Sequence, residues 1–148
     1  MALDYLENGN LTEGIHEFTW SQFVEEFGYT GHRMKLINGL KIALNALKVC
    51  NCQNVFIDGS FTTKKEKPGD WDGCFDTDGM DKNDIDRLSE KYPELWDYWP
   101  PRLAQKSRFR GEIFPISSKN RLMFEFFQKD RNGLSKGIIQ LSLQNFVL

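Results

Sequence analysis

The sequence predicts an α/β (α+β) domain: a mixed five-stranded sheet with helices packed on one face. Three observations carry this prediction. A long helical stripe runs over 32–49, and short β-prone runs recur at 54–58, 71–75, 110–116, 122–127 and 137–143. The order is two helices, two strands, a helix and three strands, which mixes the two element types along the chain. The chain's 148 residues, 40% hydrophobic and 14% aromatic, suit a single domain with a sizeable core.

Residues 1–14, with Gly9, Asn10 and Gly14, read as an N-terminal arm. Thr19 is the expected N-cap of a helix to Phe27, with Gln22 completing a capping box and Gly28 as the stop. In the long helix, Ile37, Leu40, Leu44 and Leu47 recur at three- and four-residue spacing, widened by Leu36, Ala43 and Ala46. A stripe that broad lies across a sheet. The run NVFID at 54–58 is a buried strand ending at a glycine, and Pro68-Gly69 closes the charged loop 62–69 before a second strand at 71–75. A short exposed helix fits 81–91, stopped by Pro93, and the aromatic, Pro-rich 95–101 is a structured loop. Strands follow at 110–116, 122–127 and 137–143, the last two joined by a hairpin turn at Asn132-Gly133.

Composition removes several classes. A formal net charge of −2 gives no field for whole-protein DNA binding. No window approaches the roughly 18 apolar residues of a membrane span, and the acidic start has no basic signal-peptide region. Cys50, Cys52 and Cys74 are too sparse for a disulfide framework and lack paired zinc spacing. A cytoplasmic location is the expectation.

The segment VFIDGSFTTKKEKPGDWDGCFD, 55–76, carries the sharpest chemical signal. A strand delivers Gly59-Ser60 at its end, and Asp70 and Asp72 follow with Trp71 between them. Alternation puts the two carboxylates on one face, about 7 Å apart along the strand. Two like charges so placed suit a hard cation, Mg²⁺ or Mn²⁺, whose remaining positions take water and phosphate oxygens. Gly59 lets backbone approach a phosphate and Ser60 offers a hydroxyl and an N–H. Lys64, with Lys65 and Lys67, stands in the same loop, although a charged loop is more often only solvated.

Gly-Ser followed at ten residues by Asp-x-Asp resembles the signature of the nucleotidyltransferase superfamily with the DNA polymerase β-type palm, and the size is that of its minimal branch. GIHEFTWSQFVEEFG, DGSFTTKKEKPGDWD and FFQKDRNGLSKGI also look like a bacterial and phage family of nucleotidyltransferase-like proteins. The resemblance implies that Asp70 and Asp72 bind two divalent metals and that a third carboxylate completes the site. Topology gives that role to Glu112, with Glu125 as the runner-up. The residues themselves make a site for a nucleoside triphosphate at Gly59, Ser60 and Lys64, and the resemblance implies an acceptor hydroxyl on a protein or RNA and a toxin–antitoxin or phage-defence setting. A non-catalytic antitoxin or partner-binding module on the same fold is the alternative.

Other groups have plainer readings. Asp58 caps a turn. Arg102, Lys106, Arg108 and Arg110 form a solvated helix face, with contact to a triphosphate or RNA as the sharper reading. His16 and His32 make local hydrogen bonds, and Cys50 closes the long helix against the first strand.

Overall fold

The computed structural model describes residues 4–97 and 99–145. Its first helix, α1 (Trp20–Phe27), begins at the expected capping box, where Thr19 and Gln22 exchange side-chain and backbone hydrogen bonds. Thr30 caps α2 (Gly31–Val49), and Cys50 ends it. The predicted stripe of α2, Leu36, Ile37, Leu40, Ala43, Leu44 and Leu47, is almost wholly buried. It packs against Val55 and Ile57 of β2 (Asn54–Asp58), Trp71 and Phe75 of β3 (Trp71–Asp76), and Ile113 of β4 (Gly111–Ile116) in one apolar cluster. Gly39 is the point where α2 meets the chain before β4, since any Cβ there would strike the Phe109 carbonyl.

The sheet has five strands in the order β1-β5-β2-β3-β4, with β1 at Ile15–Phe18 and β5 at Ile138–Ser142. It is mixed: β2 runs antiparallel to β3 and β5, while β1–β5 and β3–β4 are parallel. Five strands are present as expected, but one is a different segment. The run 122–127 is no strand. It carries the short helix α5 (Leu122–Phe126), because Phe124 and Phe127 are buried three residues apart while Leu122 and Phe126 point outward. The missing strand comes from the four residues of β1. The Asn132-Gly133 turn exists, with Gly133 at φ +77°, yet it joins α5 to β5 and does not join two strands.

Alternation divides the sheet into two faces. Most of the core lies under α1 and α2, with α3 (Lys82–Lys91) adding Leu88 and α4 (Leu103–Phe109) adding Phe109. On the other face Phe56, Cys74, Phe114, Ile116 and Ile138 meet Phe124 and Phe127. The expectation of helices on one face is thus corrected: α5 covers part of the second face, because its two buried phenylalanines need that apolar patch. Gln105 of α4 finishes the free edge of β4. Its amide accepts from Ile113 N at 2.9 Å and donates to Ile113 O at 2.9 Å, so the edge strand keeps paired backbone.

Candidate functional site: a carboxylate cluster in a cleft

Register places the carboxylates. Asp58 of β2 stands opposite Asp72 of β3, and Asp72 stands opposite Glu112 of β4. These three positions share the face of Phe56, Cys74 and Phe114, whereas Trp71 turns into the main core and donates its indole N–H to Phe109 O at 2.8 Å. Gly111 makes that anchoring feasible, since a Cβ there would enter the Trp71 ring. With Trp71 fixed, Asp70 and Asp72 flank it. Asp70, Asp72 and Glu112 each offer an oxygen within 4.8 Å of the others'.

Gly59 follows β2 at φ +84°, a conformation that L side chains rarely adopt, and a Cβ on it would collide with the Asp72 carboxylate. The glycine is therefore required by the carboxylate cluster as well as by the turn. After it, Ser60–Thr62 forms a 3₁₀ turn. Buried Arg33 of α2 fixes this loop: its guanidinium donates to Phe61 O at 2.7 Å, Thr63 O at 2.9 Å and Lys65 O at 2.5 Å.

Charge at the site falls into two sets. Asp58, 1% exposed, faces the Lys136 ammonium at 3.2 Å from Oδ2, but among the described residues neither carboxylate oxygen gains a well-formed hydrogen bond. Burial pushes its carboxyl up to about 7 against the pull of Lys136. Asp72 is also raised to about 7, first by burial and then by Asp70, Glu112 and Asp58, with Lys136 as a weaker opposing charge. Asp70 is raised by burial and by Glu112, with Lys106 and Lys65 acting the other way. Glu112 receives Lys106 Nζ at 3.0 Å on Oε1 and Arg102 Nη1 at 3.4 Å on Oε2.

A cleft of about 710 Å³ opens beside this cluster. Asp58, Gly59, Ser60, Asp70 and Asp72 line it from the strand side, and Phe126, Lys129, Arg131 and Lys136 from the segment between α5 and β5. That volume lies in the range of small-molecule and cofactor sites.

No curated protein and no solved structure matches the chain. One family does, over residues 3–142: the family of unknown function DUF6932. The chain belongs to DUF6932.

Most of the site residues read from this DUF6932 sequence are brought together. Gly59, Ser60, Asp70 and Asp72 share the cleft, and Glu112 joins the two aspartates. Lys64 is directed elsewhere, its ammonium 4.4 Å from the centre of the Tyr5 ring, and Lys65 lines the cleft in its place. Glu125 lies exposed on α5, outside the carboxylate cluster, because its segment is helical. Asp58 is more than a turn cap: it is a buried acid with its own lysine. The basic run divides, with Arg102 and Lys106 on Glu112 and Arg108 on Glu94 at 2.9 Å. His16 and His32 lie 2.8 and 2.5 Å from the carbonyl oxygens of Thr12 and Pro68. The three cysteines are buried and free, with burial raising Cys52 and Cys74 to about 12. Among the described residues no helix is long and apolar enough to cross a membrane. The cationic residues Lys129, Arg131 and Lys136 went unnoticed in the sequence because a turn signal gives no direction for its flanking side chains.

Proposed function

We propose that this protein is a metal-dependent enzyme of nucleotidyltransferase-like fold that transfers a nucleoside monophosphate from an NTP to a hydroxyl of a protein or RNA. The observation that carries the reading is the meeting of Asp70, Asp72 and Glu112 within 4.8 Å, with the two aspartates in one cleft with Gly59 and Ser60. Their donor set is all carboxylate, which suits Mg²⁺ or Mn²⁺. Burial, and after it repulsion from Asp70 and Glu112, pushes Asp72 up to about 7, so a cation there relieves an existing cost.

Asp70, Asp72 and Glu112 would hold the metal, which when bound neutralises developing phosphoryl charge and acidifies an acceptor hydroxyl. The chain's own groups do the positioning. Gly59 and Ser60 present backbone and hydroxyl to phosphate oxygens, and Lys65 supplies positive charge at the same wall. In-line transfer forms a bond from the acceptor oxygen to the α-phosphorus and breaks the α–β bridge, releasing pyrophosphate and the hydroxyl proton. Such chemistry depends on placement more than on a protein nucleophile.

The pairing of Glu112 with Lys106 and Arg102 favours one second reading, a non-catalytic partner-binding module such as an antitoxin, because the third carboxylate is already neutralised. Incubation with α-labelled NTPs, Mg²⁺ or Mn²⁺, and protein and RNA fractions separates the two. Wild type is expected to transfer label, Asp70→Asn with Asp72→Asn to transfer none, and Glu112→Gln to transfer at least ~100-fold more slowly, roughly 3 kcal/mol, with NTP affinity spared. Binding without transfer to any acceptor favours the module.

A further inference from the structure

The cleft wall between α5 and β5 contains a feature that core packing does not explain. Phe126 ends α5 at 65% exposure, while its neighbour Phe127, 7% exposed, packs 5.8 Å from Phe114. The Phe126 ring leans edge-on against Phe127, with centroids 5.7 Å apart and planes at 66°, and it lines the cleft. A large aromatic left open at a cleft mouth has more to offer a ligand than the core.

The loop that follows is held in one shape. Asp130 accepts from Asn132 N at 2.8 Å and Leu134 N at 3.0 Å, and from Asn10 Nδ2 at 3.2 Å. Backbone bonds from Asp130 N to Leu134 O and from Lys136 N to Gln128 O, each 2.9 Å, close it. Lys136 is committed to Asp58, whereas Lys129 and Arg131 have no ion pair among the described residues and line the cleft beside Phe126. An open ring and two unpaired cations on a fixed loop match a ligand with one flat apolar end and one anionic end.

We propose that Phe126, Lys129 and Arg131 form a nucleoside-phosphate subsite, with the base stacked on Phe126 and the phosphates at the two cations. Stacking accepts any base, since each has a π-face, and the cations add affinity by charge alone. The proposal rests on the reading that the cleft takes a nucleotide, but it needs no metal.

Equilibrium titration of ATP and of inorganic triphosphate in EDTA tests it. Wild type is expected to bind ATP more tightly than triphosphate. Phe126→Ala should weaken ATP about tenfold or more and leave triphosphate unchanged. Phe126→Trp should restore ATP, and Lys129→Ala with Arg131→Ala should weaken both ligands. Asp70→Asn with Asp72→Asn should keep the Phe126 dependence. Equal ATP affinity in wild type and Phe126→Ala overturns the subsite, including the case in which wild type binds ATP no better than triphosphate. Phe126-dependent binding with no label transfer by wild type leaves the subsite standing and removes the transferase reading. Transfer that survives without any Phe126 dependence removes the subsite alone.

Discussion

Two acidic centres lie side by side on the same sheet face, and the chain treats them differently. Asp58, at the end of β2, is buried with a cation of its own, Lys136, delivered by the segment that leads into β5. Asp72, its cross-strand neighbour, looks towards Asp70 and Glu112, feels Lys136 only as a weaker opposing charge, and Lys106 and Arg102 are spent on Glu112. Both acids are pushed up to about 7 with burial as the first cause, but the second cause has opposite sign: Lys136 opposes the shift at Asp58, and Asp70 adds to it at Asp72. The difference teaches that one centre is partly compensated by a cation of the chain itself, while at the other like charges add a repulsion that an external cation would relieve.

The largest expected effect breaks the compensated centre. Lys136→Met leaves Asp58 buried without its partner and should cost ~3 kcal/mol at pH 8, as removal of one member of a buried pair does. The cost should shrink towards pH 5. Between the unfolded carboxyl range near 4 and the native value of about 7, the folded protein holds a proton on Asp58 that the unfolded chain has lost. Native-state stability from this group therefore falls as pH rises through that window. Below about 7 the native Asp58 is neutral and needs no lysine. Urea unfolding in EDTA at both pH values measures this, and an equal cost at pH 5 and pH 8 would show that Lys136 acts through packing alone.

Next in size is the opposite change at the other centre. Asp72→Asn removes a like charge and should stabilise the metal-free protein at pH 8 by ~1–2 kcal/mol, less than its full shift implies because solvent reaches the group. It should also abolish thermal stabilisation by Mn²⁺, a mass-action effect in wild type. Destabilisation of the kind expected for Lys136→Met would mean that Asp72 is satisfied within the protein, and the contrast between the centres would vanish.

The two centres also differ in how far they were legible in the sequence. Asp70, Asp72 and Glu112 lie on or beside strands, where alternation fixes which side chains share a face, so a motif and a strand assignment suffice to unite them. Register did the rest: the parallel pairing of β3 and β4 places Asp72 opposite Glu112. Lys136 was hidden because it reaches Asp58 from a position 78 residues away in sequence, across a loop whose geometry is set by Asp130 and Asn10 and by no periodic pattern. The run 122–127 misled for a related reason. Its aromatic content favours a strand, but Phe124 and Phe127 bury at helical spacing against a patch that exists only after β2, β3 and β4 have assembled. β1 escaped notice because four residues with a single buried side chain give almost no periodic signal.

The smallest expected effect probes the border between the centres, at Lys106. This lysine, 43% exposed, sits 3.0 Å from Glu112 Oε1, and the carboxylate side chain is 16% exposed. An ion pair so open contributes little to the fold, so Lys106→Met should change stability by only ~0.5 kcal/mol. Its effect on metal binding should be the more telling. Lys106 competes with an incoming cation for the Glu112 oxygen and adds positive charge near Asp70, whose carboxyl it pulls down. Removing it frees one ligand and deepens the negative potential of the cluster. Mn²⁺ affinity is therefore expected to rise about threefold, equivalent to ~0.7 kcal/mol, in an isothermal titration at low salt. Arg102 still holds the other Glu112 oxygen at 3.4 Å, which keeps the gain modest. Added salt should shrink it further, because the exposed lysine's field is screened. A weaker Mn²⁺ affinity in Lys106→Met would reverse the assignment: the lysine would then be orienting Glu112 towards the aspartates, and Glu112 would belong with Asp58 among the acids the protein compensates for itself.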